Sequence, residues 1–172
     1  GLQPDVIVGD FDSLPDAEVN YWRGKGVEII EHETRKDETD LELALLLAQE
    51  LEREEVIVLG GLGGRWDHTF ANIFLPAYHR LEDVKVTFWH DGLWVYLVRR
   101  SRRIRGKPGQ IVSLLPLGGD AYGVSTEGLD FPLYDETLVF GASRGVSNRL
   151  LGESAEIRLR DGMLLCFVSD ED

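Results

Sequence analysis

Two carboxylates two positions apart, Asp10 and Asp12, follow the apolar run Val6-Ile7-Val8 and a single glycine, Gly9. In an extended backbone that spacing puts both on one side, ~7 Å apart. Carboxylate pairs of this kind suit a hard cation such as Mg²⁺, which in turn holds phosphate oxygens. Asp, Gly and Ser are also ordinary turn formers, so this stretch alone is equally well read as an acidic loop. A second group is Asp37, Thr39 and Asp40. Thr39, with Glu42 three residues on, forms the capping box that opens a helix. Asp40 then lies in the first turn, where the helix dipole favours an acid whatever its function. A third group is Gly60-Gly61-Leu62-Gly63-Gly64-Arg65-Trp66-Asp67-His68, with four glycines in five positions. Such a run permits close backbone approach to a ligand, and the amides opening the next helix can bind phosphate. It is not a dinucleotide fingerprint, because Trp66 stands where the third glycine belongs, and it lacks the Gly-Lys-Ser/Thr of a P-loop. Arg65, Asp67, His68 and Asn72 add a cation and polar groups, although His68 by itself reads as a structural hydrogen bonder.

These residues must be carried by strand ends and helix starts. Val6–Val8, Val27–Ile30 and Val56–Leu59 read as short buried strands, and 15–25, 40–52 and 67–80 as helices. Leu41, Ala44, Leu45, Ala48 and Leu51 form the apolar stripe of the second helix. Strand–helix alternation implies right-handed crossovers and a mainly parallel sheet, with ligands at the carboxyl ends of its strands. From Val84 the texture changes. Val84–Trp89 and Leu93–Val98 flank His90-Asp91-Gly92 as a hairpin. Arg99–Arg105 is the one basic run and reads as a solvated linker. Beyond Gly106 the pattern is short strands near 111–115, 123–126, 137–140, 155–159 and 163–168, broken by turn signals, which suggests a small β-sandwich. The expected fold is therefore a Rossmann-like, mainly parallel three-layer α/β domain over 1–100, a linker at 101–105, and an all-β sandwich domain over 106–172.

The whole chain has 172 residues, 43% of them apolar, which is enough to bury a core. Its formal charge of −13 argues against a nucleic-acid backbone or an anionic membrane as the main partner. No apolar run approaches the ~20 residues of a membrane span, and no charged-then-apolar leader is visible. Cys166 is the only cysteine, so no intrachain disulfide is possible; this fits a reducing, cytoplasmic compartment. A start at Gly1, a few residues before a buried strand, is the expectation for a piece of a longer chain.

With these residues in view, the sequence resembles the thiamine pyrophosphokinase family. The resemblance runs over nearly the whole chain and rests on four blocks in order: Gly9-Asp10-Phe11-Asp12-Ser13, Lys36-Asp37-Glu38-Thr39-Asp40, Gly64-Arg65-Trp66-Asp67-His68 and Ser143-Arg144-Gly145-Val146-Ser147-Asn148. Gly123-Val124-Ser125-Thr126-Glu127-Gly128-Leu129 is similar to the family's second domain. The resemblance implies transfer of pyrophosphate from ATP to the thiamine hydroxyl, with Mg²⁺ and a homodimer whose sites are shared between subunits. It implies that Asp10, Asp12 and Asp40 handle metal and triphosphate. Ser13, Thr39, Gly61, Gly63, Gly64, Arg65, Asp67 and His68 would form the nucleotide wall, and Ser143, Ser147 and Asn148 would line the thiamine pocket. The family pattern opens with a further strand and helix carrying an Ala-Asp-Gly-Gly-like turn, to which no residues here correspond.

Two rival readings follow from the same residues. Asp10-Phe11-Asp12-Ser13-Leu14 after an apolar strand also resembles the nucleophile motif of haloacid-dehalogenase-like phosphatases, in which the first Asp becomes an aspartyl phosphate. A non-catalytic nucleotide or thiamine binder of the same fold is the other.

Overall fold

The structure is a computed structural model and describes residues 2–12, 14–33 and 37–170. The chain divides into two compact units, Gly1–Arg53 and Glu54–Asp172.

In the first unit, β1 (Val6–Gly9) and β2 (Glu28–Glu31) pair in parallel, with Val6 opposite Glu28 and Gly9 opposite Glu31. Helix α1 (Asp16–Gly24) makes the crossover between them. It starts at Pro15, whose fixed φ suits a helix entry, with Asp16 and Glu18 in the first turn. Helix α2 (Asp40–Glu50) packs on β1 and buries Leu45 almost completely. Its start follows the sequence signal: the Thr39 hydroxyl accepts from the Glu42 amide at 3.3 Å.

The second unit contains β3 (Glu55–Leu59), α3 (Trp66–Phe74), β4 (Lys85–His90) and β5 (Leu93–Val98). The third helix was expected to run to Arg80. It stops at Phe74 and gives way to two 3₁₀ turns, Leu75–Ala77 and His79–Leu81. Pro76 is the cause, since it offers no N–H and its ring crowds the preceding turn. Asp91 and Gly92, with φ of 44° and 84°, form the tight turn between β4 and β5. The basic run is itself a strand, β6 (Ser101–Arg105). Then come β7 (Ile111–Pro116), β8 (Ala121–Glu127), β9 (Glu136–Leu138), β10 (Asn148–Arg149), β11 (Ser154–Arg158) and β12 (Leu164–Ser169).

This architecture corrects the expected fold class. One six-stranded sheet runs β10-β7-β12-β5-β4-β3, and a four-stranded antiparallel sheet runs β6-β11-β8-β9. In the larger sheet only β3 and β4 are parallel; β5 pairs antiparallel with β4 and with β12, the last strand. Strands from before and after the basic run thus share one sheet. The chain is mostly β, with mixed and antiparallel sheets, not a mainly parallel three-layer domain followed by a separate sandwich. The physical reason is burial. Leu164, Cys166 and Val168 on β12 are wholly buried with Val98, Val112 and Leu114 in one core that also takes Ile104 and Ile157 from the smaller sheet. Each large apolar side chain so buried contributes about 1.5–3 kcal/mol. Among the described residues, no helix is long and apolar enough to cross a membrane.

Candidate functional site

In the first unit the candidate acids gather where β1 ends and α2 begins. The chain does not stay extended past Gly9. Phe11 takes a left-handed φ of 57°, and the Asp12 amide donates to Asp10 Oδ1 at 3.2 Å. The turn closes with the Leu14 amide donating to the Phe11 carbonyl at 3.1 Å. The extended-strand spacing expected for Asp10 and Asp12 is therefore replaced by a turn in which one carboxylate orders the backbone of the other. Asp10 is half-buried and Asp12 exposed. Asp40 approaches from α2, its carboxylate lying against the Gly9 backbone. A Cβ at Gly9 would meet Asp40 Cγ at 3.3 Å and both carboxylate oxygens at 3.4 Å. The missing side chain at Gly9 is what lets this acid sit beside the strand end. The structure thus brings Asp40 to the residue immediately before Asp10. Thr39 is committed to capping α2 as an acceptor. Ser13 and Lys36 lie outside the described residues.

Among the described residues, no three His, Cys, Asp or Glu side chains form a metal-sized cluster. Mg²⁺ does not need one. It usually keeps several waters and takes only one or two carboxylates together with substrate phosphates. The donor set here, carboxylate oxygens on a strand-end turn and on the helix start packed against it, fits that mode.

In the second unit the glycine run forms the turn between β3 and α3. Gly60, Gly63 and Gly64 have φ of 74°, 92° and 67°. The turn is tied to α3 by two side chains. Thr69 is buried, accepts from the Gly63 amide and donates to the Gly63 carbonyl, both at 3.1 Å. Asn72 Nδ2 donates to the Gly61 carbonyl at 2.7 Å. The Gly63 amide, expected to face a phosphate, is therefore engaged within the fold. Gly61 serves packing, since a Cβ there would lie 2.8 Å from Val58 and 3.2 Å from Phe88. His90, at the carboxyl end of β4, packs against Gly63, where a Cβ would meet its ring at 3.3 Å. Sequence reading missed Thr69 and His90. The glycine run offered no clue to Thr69; the placement of His90 at the end of a strand parallel to β3 was the available signal.

Arg65 and Asp67 form a two-point ion pair at 3.1 and 2.5 Å, both largely exposed. The Arg65 hydrogen bond holds the Asp67 carboxyl at a pKa of about 2, below its ordinary 3.8. His68 is exposed in the first turn of α3.

The third candidate group lies on β10 and the turn before it. The Val146 amide donates to the Ser143 carbonyl at 3.1 Å, closing a turn that contains Gly145. A Cβ at Gly145 would collide with the Leu114 carbonyl oxygen. Arg144 is paired with Glu136 at 2.8 Å. Ser147 takes a left-handed φ of 63°, and its amide donates to Ser113 Oγ at 3.1 Å. Ser147 and Asn148 line a cavity of about 220 Å³ together with Leu114, Phe131 and Arg144. Ser143 shapes the turn rather than lining that cavity. Phe131 and Arg144 were not singled out from sequence, because neither carries a spacing signal.

Comparison with known proteins matches two family models in order. The model described as thiamin pyrophosphokinase, catalytic domain, covers residues 1–88, and that described as thiamin pyrophosphokinase, vitamin B1 binding domain, covers residues 99–164. Thiamine pyrophosphokinase 1 of Oryza sativa subsp. japonica is 29% identical, over 90% of this chain and 62% of its own length. Thiamine pyrophosphokinase 1 of Arabidopsis thaliana is 27% identical, over 94% and 64%. Thiamine pyrophosphokinase of Bacillus subtilis (strain 168) is 25% identical, over 99% and 81%. The chain therefore spans less than two thirds of the length of the two plant relatives. Among solved structures, thiamine pyrophosphokinase from Bacillus subtilis superposes with a TM-score of 0.86 at 23% identity, covering 99% of this chain and 81% of that one. Yeast thiamin pyrophosphokinase gives 0.75 at 22%, covering 98% and 70%. At these identities the structural likeness concerns the fold.

Proposed function

This chain belongs to the thiamin pyrophosphokinase family, and from that premise we propose that it transfers pyrophosphate from ATP to thiamine, giving thiamine diphosphate and AMP. The observation that carries the reading is the ordered match of both family models, for the catalytic and the vitamin B1 binding domains, to consecutive stretches of one chain. We assign residues 1–100 to ATP and metal, 106–172 to thiamine, and 101–105 to the connection between these functional regions.

In the proposed reaction the thiamine hydroxyl oxygen bonds to the β-phosphorus of ATP. The bond from that phosphorus to the α–β bridging oxygen breaks, AMP leaves, and the hydroxyl proton passes to a base. Such transfers need positioning and charge neutralisation more than a protein nucleophile. Bound Mg²⁺ would supply neutralisation of the triphosphate. Asp10, Asp12 and Asp40 are the residues proposed to hold it, supported by the packing of Asp40 on Gly9. Gly61, Gly63, Gly64 and Arg65, with Asp67, His68, Thr39 and Ser13, are proposed for the nucleotide. Thr69 acts there by fixing backbone, since its hydroxyl both accepts from and donates to Gly63, while Thr39 caps α2 as an acceptor and keeps its O–H for a ligand. Ser143, Ser147 and Asn148 are proposed for the thiamine pocket, supported by the cavity at Ser147 and Asn148. Thiamine is a cation, which the chain's net negative charge helps attract.

A homodimer with shared sites and a cytoplasmic location complete the proposal. The first rests on the family resemblance; the second is supported by a lone, buried cysteine. The test is incubation of the full-length protein with ATP and thiamine, with and without Mg²⁺. Thiamine-dependent AMP release that requires Mg²⁺ is expected. A trapped phospho-enzyme, or thiamine binding without AMP release, would favour the rival readings.

A further inference from the structure

We propose that Asn148 is a positioning residue for the thiamine pocket, acting through Phe131 and its neighbours rather than by a polar contact of its own with substrate. The inference rests on the functional reading above.

The segment 129–131 runs antiparallel beside 149–150, with a bridge between Leu129 and Leu150. The Asp130 amide donates to the Arg149 carbonyl at 3.0 Å, and the Leu151 amide donates to the Gly128 carbonyl at 3.0 Å. One step further along this register, Phe131 falls opposite Asn148. There no backbone hydrogen bond joins Phe131 to Asn148, whose β10 neighbour on the other side is Val112 of β7. The carboxamide of Asn148 takes over. Its Oδ1 accepts from the Phe131 amide at 3.0 Å, and its Nδ2 donates to the Phe131 carbonyl at 2.7 Å. The same Oδ1 accepts from the Arg149 amide at 2.8 Å.

A carboxamide carries both a donor and an acceptor, as a peptide group does, and so can stand in for one rung of a ladder. Asp would keep the acceptor and set an oxygen against the Phe131 carbonyl. Gln would be one methylene too long for the same reach. Three of the side chain's four hydrogen-bonding positions are used in the fold, leaving one N–H.

What this rung holds is a wall. Pro132 follows Phe131 and keeps it extended. At the far end, the Leu133 amide donates to Thr126 Oγ1 at 2.9 Å, and the Thr126 amide donates to the Leu133 carbonyl at 3.0 Å. Pinned at both ends, Pro132 and Leu133 separate the ~220 Å³ cavity at Ser147 from a second of ~390 Å³. Phe131 lines the smaller one with 69% of its surface still exposed. The backbone behind this open ring is fixed by the Asn148 carboxamide.

The test is a double-mutant cycle on the full chain, read by thiamine calorimetry and steady-state kinetics. Asn148→Ala and Phe131→Ala should each weaken thiamine by about tenfold, in KM more than in kcat. The double variant should be no weaker than Phe131→Ala, because Asn148 has nothing left to position. Additive losses in a wild type that binds thiamine would mean direct contact and would overturn the assignment alone. Failure of the wild type to bind thiamine would overturn the functional reading and the assignment with it. If Asn148→Ala does not fold, amide hydrogen exchange on the wild type decides. A protected Phe131 amide supports the rung, and one exchanging at an open-loop rate overturns it.

Discussion

The carboxylate of Asp40 rests on the backbone of Gly9, with its Cγ 3.3 Å from where a Cβ would be. That relationship joins the start of α2 to the end of β1 and puts an acid beside the Asp10–Asp12 turn. Gly9→Ala should displace Asp40 by a few tenths of an ångström or more. The expected result is a loss of turnover of about 10–100-fold, of the order that a misplaced catalytic group costs. The fold should remain, as read by circular dichroism. Wild-type kcat in Gly9→Ala would show that the position of Asp40 is immaterial.

Asp12→Asn preserves shape and removes charge. It should stay folded and lose Mg²⁺-dependent turnover by at least about 100-fold, as expected for a group that stabilises transferring phosphate. The same variant tests shared sites. Mixed with Asn148→Ala subunits under conditions of proven exchange, and assayed at thiamine well below that variant's raised KM, it should exceed the summed activity of the two separate variants, because one site of the heterodimer keeps both halves intact. A mixture no more active than that sum argues against sharing.

Thr69→Val removes both hydrogen bonds to Gly63 while keeping the side chain's size. A loss of about 1–3 kcal/mol in stability is expected, since the Gly63 amide and carbonyl lose a partner each. ATP affinity should fall more than thiamine affinity. Denaturant melts and separate ligand titrations measure the two effects; equal losses of both ligands would make the turn a general structural element.

Asp67 gives a prediction in pH. Its pKa is lowered to about 2 by the hydrogen bond from Arg65. A depressed folded pKa means that the pair is fully formed above the ordinary 3.8 and is lost as pH falls through about 2. The carboxyl resonance of Asp67 should therefore titrate near 2, and in Arg65→Ala it should move up toward 3.8. A wild-type midpoint already near the ordinary value would mean that the pair does not persist in solution.

Local signals carried much of this. Thr39 and Glu42 marked the start of α2, and Asp91-Gly92 marked the β4–β5 turn, because caps and tight turns depend on residues within a few positions. Five of the six strands after 106 were placed within a residue or two by their turn signals, while β10 (Asn148–Arg149), only two residues long, was not expected. The sheet assignment was not legible. Strand–helix alternation predicts crossovers such as β3-α3-β4 correctly, but it cannot say that β5 will pair with β12, about 70 positions on. That choice is set by apolar complementarity between Trp94–Val98 and Leu164–Val168. The same holds for the candidate site. Residue types pointed to Asp10 and Asp12, and the family resemblance named Asp40 and Asn148, while Thr69 behind Gly63 and Phe131 beside Asn148 became visible only through contacts between segments distant in sequence.

The central claim is pyrophosphoryl transfer in one step, and ³¹P nuclear magnetic resonance of the reaction mixture tests it most directly. With full-length protein, ATP, Mg²⁺ and thiamine, the signals of AMP and thiamine diphosphate should rise together in equal amounts as ATP declines. Accumulation of ADP, of inorganic phosphate or of a thiamine monophosphate in their place would contradict it.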